Sequence, residues 1–101
     1  MDLHGTAARL TAAGDELTDA GRRLGRLDPG AQAFAADSTG ALGELGRALH
    51  ERCTAALAAR SREAAAHGAR LTDLADSVRL AAIGYADAER SARDRHERGP
   101  Q

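Results

Sequence analysis

Between Ala41 and Arg98 the chain runs for nearly sixty residues without a proline, and seven of its twelve leucines lie there. Apolar residues in three- and four-residue steps over such a length point to one long amphipathic helix. Leu42, Leu45, Leu49, Ala56 and Leu57 open its stripe. Ala64, Leu71, Leu74, Val78, Ala81, Tyr85, Ala88 and Ala92 continue it. The middle, Ala58 to Ala69, is alanine-rich and carries Arg60, Arg62 and His67, so packing is expected to be weakest there. Unbroken, the helix would exceed about 80 Å at ~1.5 Å per residue. Gly68 and Gly84 mark where a break would fall. An amphipathic helix takes most of its stability from packing, so any length left uncovered must fray, bend or meet another chain.

The other periodic segment spans residues 2–27. Leu3, Leu10, Leu17 and Leu24 recur every seventh position, and Ala7, Gly14 and Gly21 recur four after a leucine. This is a heptad with one large row and one small row. Glycine within a helix costs ~1 kcal/mol relative to alanine. Gly14 and Gly21 therefore signal either a close second backbone or a frayed helix. Asp19 and Arg23 fall at the i,i+4 spacing of an exposed ion pair. Asp28-Pro29-Gly30 stops the segment, since proline disfavours helical geometry before it and glycine frees the turn. Asp28 and Pro29 also suit the start of a short helical turn, with Phe34 closing the open end of the hairpin. Asp37, Ser38 and Thr39 offer three alternative caps for the long helix.

The expected fold is therefore all-α: an antiparallel helical hairpin over residues 1–92. Helix 1 spans about 2–27, the connector 28–40 and helix 2 about 41–92. Residues 93–101 form a charged, flexible tail, with Glu89–Arg93 and Asp94–Arg98 as i,i+4 pairs where it remains helical. The seam of the hairpin or of its dimer is expected to use Leu3, Ala7, Leu10, Gly14, Leu17, Gly21, Leu24, Leu42, Leu45, Leu49, Leu71, Leu74 and Val78. Pro29, Gly30 and Phe34 make the turn.

Composition supports a thin protein that gains from a partner. The 101 residues allow one domain. Alanine supplies 25 of the 43 apolar residues, which leaves few large side chains to bury. A net charge of −1 removes the self-repulsion that would keep such a chain disordered. All 14 basic residues are arginine and are spread evenly, so no basic field exists to attract nucleic acid. No apolar run approaches a membrane span, and no stable membrane insertion is expected. The first residues lack a charged region followed by an apolar one, so no cleavable Sec-type signal is expected. Cys53 is the only cysteine and has no intrachain partner.

Catalytic signals are weak. His50 and Cys53 share a helical face at i,i+3, but no further ligand follows at matching spacing, so neither a metal nor a cofactor is expected. The three glycines at Gly40, Gly43 and Gly46 lack the preceding strand and following Gly-Lys of a phosphate loop. The reading is of a protein that is not an enzyme. Tyr85 and Glu89 are the sharper feature. On a helix they project from one face a turn apart, offering an aromatic knob beside a carboxylate. The alternative is that Tyr85 merely continues the packed stripe.

The order of these features, a helical hairpin followed by Ala81-Ala82-Ile83-Gly84-Tyr85-Ala86-Asp87-Ala88-Glu89, resembles the WXG100-like substrates of actinobacterial type VII (ESX) secretion. It looks closest to the EspC-like branch, because the chain has no tryptophan for a Trp-x-Gly turn. Phe34 or Ser38 stands near the place that tryptophan would take. The resemblance implies a Tyr-x-x-x-Asp/Glu export signal at Tyr85 and Glu89. It further implies pairing into a four-helix bundle, as a homodimer or as a heterodimer with another WXG100-like protein or a toxin N-terminal domain. Docking on the type VII secretion ATPase and release by a route without a cleaved signal would follow. The competing expectation is a cytosolic helical adaptor or chaperone for a larger, toxin-like partner.

Overall fold

The carboxylate of Asp2 accepts the backbone N–H of Gly5 at 2.8 Å, capping the first helix. The computed structural model describes residues 2–99. Helix α1 runs Leu3–Gly25, a 3₁₀ turn follows at Ala31–Phe34, and helix α2 runs Gly40–Arg98. The long helix is unbroken at Gly68 and Gly84, and Thr39 is its N-cap residue. The two helices pack antiparallel as a hairpin measuring 92 × 15 × 12 Å. No strand occurs among the described residues. No described helix is long and apolar enough to cross a membrane.

Two boundaries differ from expectation. Helix α1 ends two residues earlier, where the Arg26 and Leu27 N–H groups turn back to the carbonyls of Arg23 and Leu24. Helix α2 continues six residues beyond 92, because nothing in 93–98 breaks a helix until Gly99 takes φ 73°. The charged segment is thus helical through Arg98, and the rest of the expected tail, Pro100 and Gln101, lies outside the described residues. The expected ion pairs also shift: Asp19 pairs with Arg22 rather than Arg23, and near the end of α2 Asp87 pairs with Arg90 where Glu89 with Arg93 was expected. Arg98 bonds the backbone carbonyl of Asp94 instead of its carboxylate.

The hairpin closes on its small residues. Ala7, Gly14 and Gly21 are buried on α1, and Gly68, Ala75 and Ala82 are buried on α2. Both rows repeat every seven residues, so each helix presents a flat strip to the other. A Cβ at Gly14 would lie 2.8 Å from the Gly68 carbonyl oxygen, and one at Gly68 would lie 2.8 Å from that of Gly14. The backbones approach closely because neither residue has a side chain. Gly21 sits over Ser61 and Ala64, and the Ser61 hydroxyl donates to the Gly21 carbonyl at 2.8 Å. The helices are thus in close contact at Ser61, Ala64 and Gly68, inside the alanine-rich middle where packing was expected to be weakest. Scarcity of large side chains is what permits the contact.

Most of the leucines are set to one side, with Leu80 exposed on another. On both helices the residue three after each buried small one is large and apolar: Leu10, Leu17 and Leu24 on α1, Leu71, Val78 and Tyr85 on α2. The residue four after is often polar: Thr11, Thr18, Thr72 and Arg79. At ~100° per residue these sets lie on opposite flanks of the buried strip, and antiparallel packing puts like flanks on one face. The polar flank is stitched across by Arg79, which donates to the Thr11 hydroxyl at 2.8 Å. The apolar flank is only half covered. Leu3, Leu10, Leu17, Leu24, Leu71 and Val78 are half-buried. Leu42, Leu45, Leu49 and Leu74 are exposed and do not belong to the hairpin's own seam. Among the described residues, no large side chain is fully buried.

Candidate functional site

Three places on this frame collect the residues singled out by the sequence. The first is the far end of the hairpin. Ala82 is the last residue of α2 that α1 buries, and Tyr85 follows one turn later, 68 % exposed. Glu89 is exposed one further turn along and makes no ion pair with any described residue. The phenol and carboxylate share a shallow cleft of about 210 Å³ with Asp2, Leu3 and His4 from the start of α1. That volume is below the ~300 Å³ at which small-molecule pockets begin. An aromatic ring and a free carboxylate on an open helical surface suit recognition by another protein. The ring lies on the apolar flank without being sealed by it.

The second place is the connector. Gly30 adopts φ 86°, and the Asp28 carboxylate accepts its N–H at 2.9 Å, closing the turn after Pro29. The same carboxylate meets His50 Nε2 at 3.3 Å and accepts the Thr54 hydroxyl at 3.2 Å. The Gly30 N–H, with help from Thr54 and His50, holds the Asp28 carboxyl below its ordinary value, against the opposing effect of desolvation. Phe34 is half-buried with its ring 5.7 Å from that of His50, and Arg47 donates to the Ala36 carbonyl at 2.8 Å. Gly43 and Gly46 leave room for the connector backbone, since a Cβ at either would collide with the carbonyls of Ser38 or Phe34. The connector is thereby strapped to the first turns of α2.

This cluster joins an aspartate, a histidine and a hydroxyl, but in the wrong order for nucleophilic catalysis. Thr54 bonds the carboxylate, not the imidazole, so the base does not reach the hydroxyl proton. Cys53 is half-buried beside it. No three His, Cys, Asp or Glu side chains among the described residues gather as metal ligands.

The third place is the apolar flank of α2. Leu42, 61 % exposed, then Leu45 and Leu49 extend it beyond the reach of α1 at one end. Leu74, 50 % exposed, continues it beside α1. This exposed apolar strip is interrupted at its centre by the exposed Arg60, Glu63 and His67. Sequence reading placed these leucines in a seam of the hairpin or its dimer without dividing the two, and the structure leaves them outside the hairpin's part. Sequence reading also missed the Asp28 strap and the inter-helix Ser61 bond. The spacing of Ser61, Gly68, Ala75 and Ala82, seven apart like the row on α1, was the available signal for the true register. No family model, curated protein or solved structure matches the chain.

Proposed function

We propose that this chain is a small, non-enzymatic substrate or secretion partner of a type VII (ESX) secretion system, akin to the WXG100-like and EspC-like proteins. In this reading the hairpin pairs with a second hairpin through its leucine flank. Tyr85 and Glu89 then dock on the secretion ATPase, and the protein leaves the cell without a cleaved signal. The observation that carries the reading is the exposure of Tyr85 and Glu89 on one face, past the last residue that α1 buries. Tyr85→Ala and Glu89→Ala are expected to abolish export into the medium while the purified proteins keep their helicity. Normal export of both variants would remove the signal from the account.

The exposed leucine flank also suits a helical adaptor or chaperone that stays in the cytosol with a larger partner. Culture fractionation separates the two readings, with the protein in the medium favouring the first.

A further inference from the structure

Both helices repeat their contact rows every seven residues, which leaves a second way to lay α1 on α2. We propose that α1 slides one heptad, about 10 Å, toward the C-terminal end of α2, and that this shifted register covers Tyr85 and Glu89. The proposal rests on the reading of Tyr85 and Glu89 as a recognised pair and supplies its closed state.

In the slide each α1 residue takes the place of the one seven before it. Gly14 and Thr18 then replace Ala7 and Thr11 against Ala75 and Arg79, so Arg79 again finds a threonine hydroxyl. Gly21 and Gly25 replace Gly14 and Thr18 against Gly68, the tightest layer of the present contact. Leu17 and Leu24 replace Leu10 and Leu17 on the apolar flank. Every exchange in these layers sets a residue of equal or smaller size against α2, so no added volume opposes the movement. No large side chain is fully buried among the described residues, so none has to be withdrawn from a deep hole.

Charge at the far end favours the shifted place. The cleft beside Tyr85 now holds the carboxylates of both Asp2 and Glu89. One heptad on, Arg9 stands where Asp2 stood and Leu10 where Leu3 stood. Glu89 gains a cation, and the Tyr85 ring gains an apolar neighbour with α1 continuing past it. Asp2 moves on to Arg93 and His96, which lie seven beyond Ala86 and Glu89. Arg9, Glu89 and Arg93 are exposed and make no ion pair with any described residue, so the slide breaks none at this end.

The other end holds the open register. The Ser61 bond to the Gly21 carbonyl and the Asp28 bonds to His50 and Thr54 are given up on sliding. The connector is long enough to follow. Gly14 faces Gly68, so Gly25 lies level with residue 57, roughly 26 Å along α2 from Gly40. The slide raises that span to roughly 36 Å, and the connector of residues 26–39 reaches about 46 Å when extended. The Asp28 strap is therefore the catch that keeps the Tyr85 end uncovered.

The test labels the full chain with spin probes at two exposed positions, through Ala12→Cys and Ser91→Cys in a Cys53→Ser background. Dilution with unlabelled chain restricts the measured distances to those within one molecule. The slide shortens the distance by about 10 Å. A minor short-distance population is expected, growing about fivefold in Asp28→Ala and disappearing when Arg9→Glu is added. Tyr85 is the only tyrosine in a chain without tryptophan, so its fluorescence reports its own exposure. Quenching by iodide is expected to fall in Asp28→Ala and to recover with Arg9→Glu. Should Asp28→Ala fail to fold, Thr54→Ala loosens the strap by one bond. A single long distance in all these chains would overturn the proposal, as would a short population that Arg9→Glu leaves in place. Neither measurement involves export, so export of Tyr85→Ala and Glu89→Ala reports separately on the signal.

Discussion

The buried strip and the leucine flank of this hairpin invert the usual division of labour. Inside, Gly14, Gly68 and Ala75 bring two backbones together, with Ala75 at 0 % exposure. Outside, Leu42, Leu45, Leu49 and Leu74 remain in water. Most small proteins place their leucines at the centre. Here the small residues decide how the chain folds back on itself, and several of the large ones stay outside that contact. The inner contact is short-range and intolerant of added volume, whereas the outer one gains its hydrophobic stabilisation only when covered.

That contrast is easiest to break at the strip. Gly68→Val would drive a side chain into Thr18 Oγ1, 2.6 Å from the new Cβ, and into the Gly14 carbonyl. We expect a loss of roughly 3 kcal/mol, because backbone cannot yield as a flexible side chain would. Thermal unfolding followed by helicity reads it, and a loss below ~1 kcal/mol would mean that the helices are not in close contact there.

Gly84 sharpens the same point with the opposite sign. It lies in the same helix, but a Cβ there meets nothing within 4 Å. Gly84→Ala is expected to stabilise the chain by ~1 kcal/mol through helix propensity alone. Denaturant titration should show a higher midpoint with an unchanged slope.

On the flank, Leu49→Ser should alter the stability of a single chain by only ~0.5 kcal/mol, in line with an exposed position. Its effect belongs to association, read by sedimentation at several concentrations. A large loss of monomer stability would put Leu49 inside the hairpin after all.

The smallest effect concerns the strap. The Asp28 carboxyl titrates below its unfolded value, so its bonds stabilise the fold at pH above ~4 and are lost as pH falls through the lower folded value. Asp28→Asn should therefore unfold more easily than wild type near neutrality, with the gap closing in acid. A constant gap across that range would assign the effect to shape instead of charge.

Much of this was legible before any coordinates. The heptad of Ala7, Gly14 and Gly21, the Pro29-Gly30 stop and the uninterrupted second half together specify a hairpin. What spacing could not decide was which row faces inward, since rows three or four apart share a helical face. The choice depends on the facing helix offering its own small row at the same interval, a relation between distant segments. The Asp28 strap was hidden for a similar reason, because it joins groups 22 and 26 residues apart. Tyr85 and Glu89 were visible as a pair, but their exposure follows from where α1 begins, which no local pattern states.

The account turns on large apolar groups being left uncovered within one chain, and the mass of the purified protein tests this most directly. Sedimentation equilibrium with parallel measurement of helicity is expected to give twice 10.5 kDa at high concentration, with helicity falling on dilution as the flank loses its cover. A fully helical 10.5 kDa species at every concentration would contradict it.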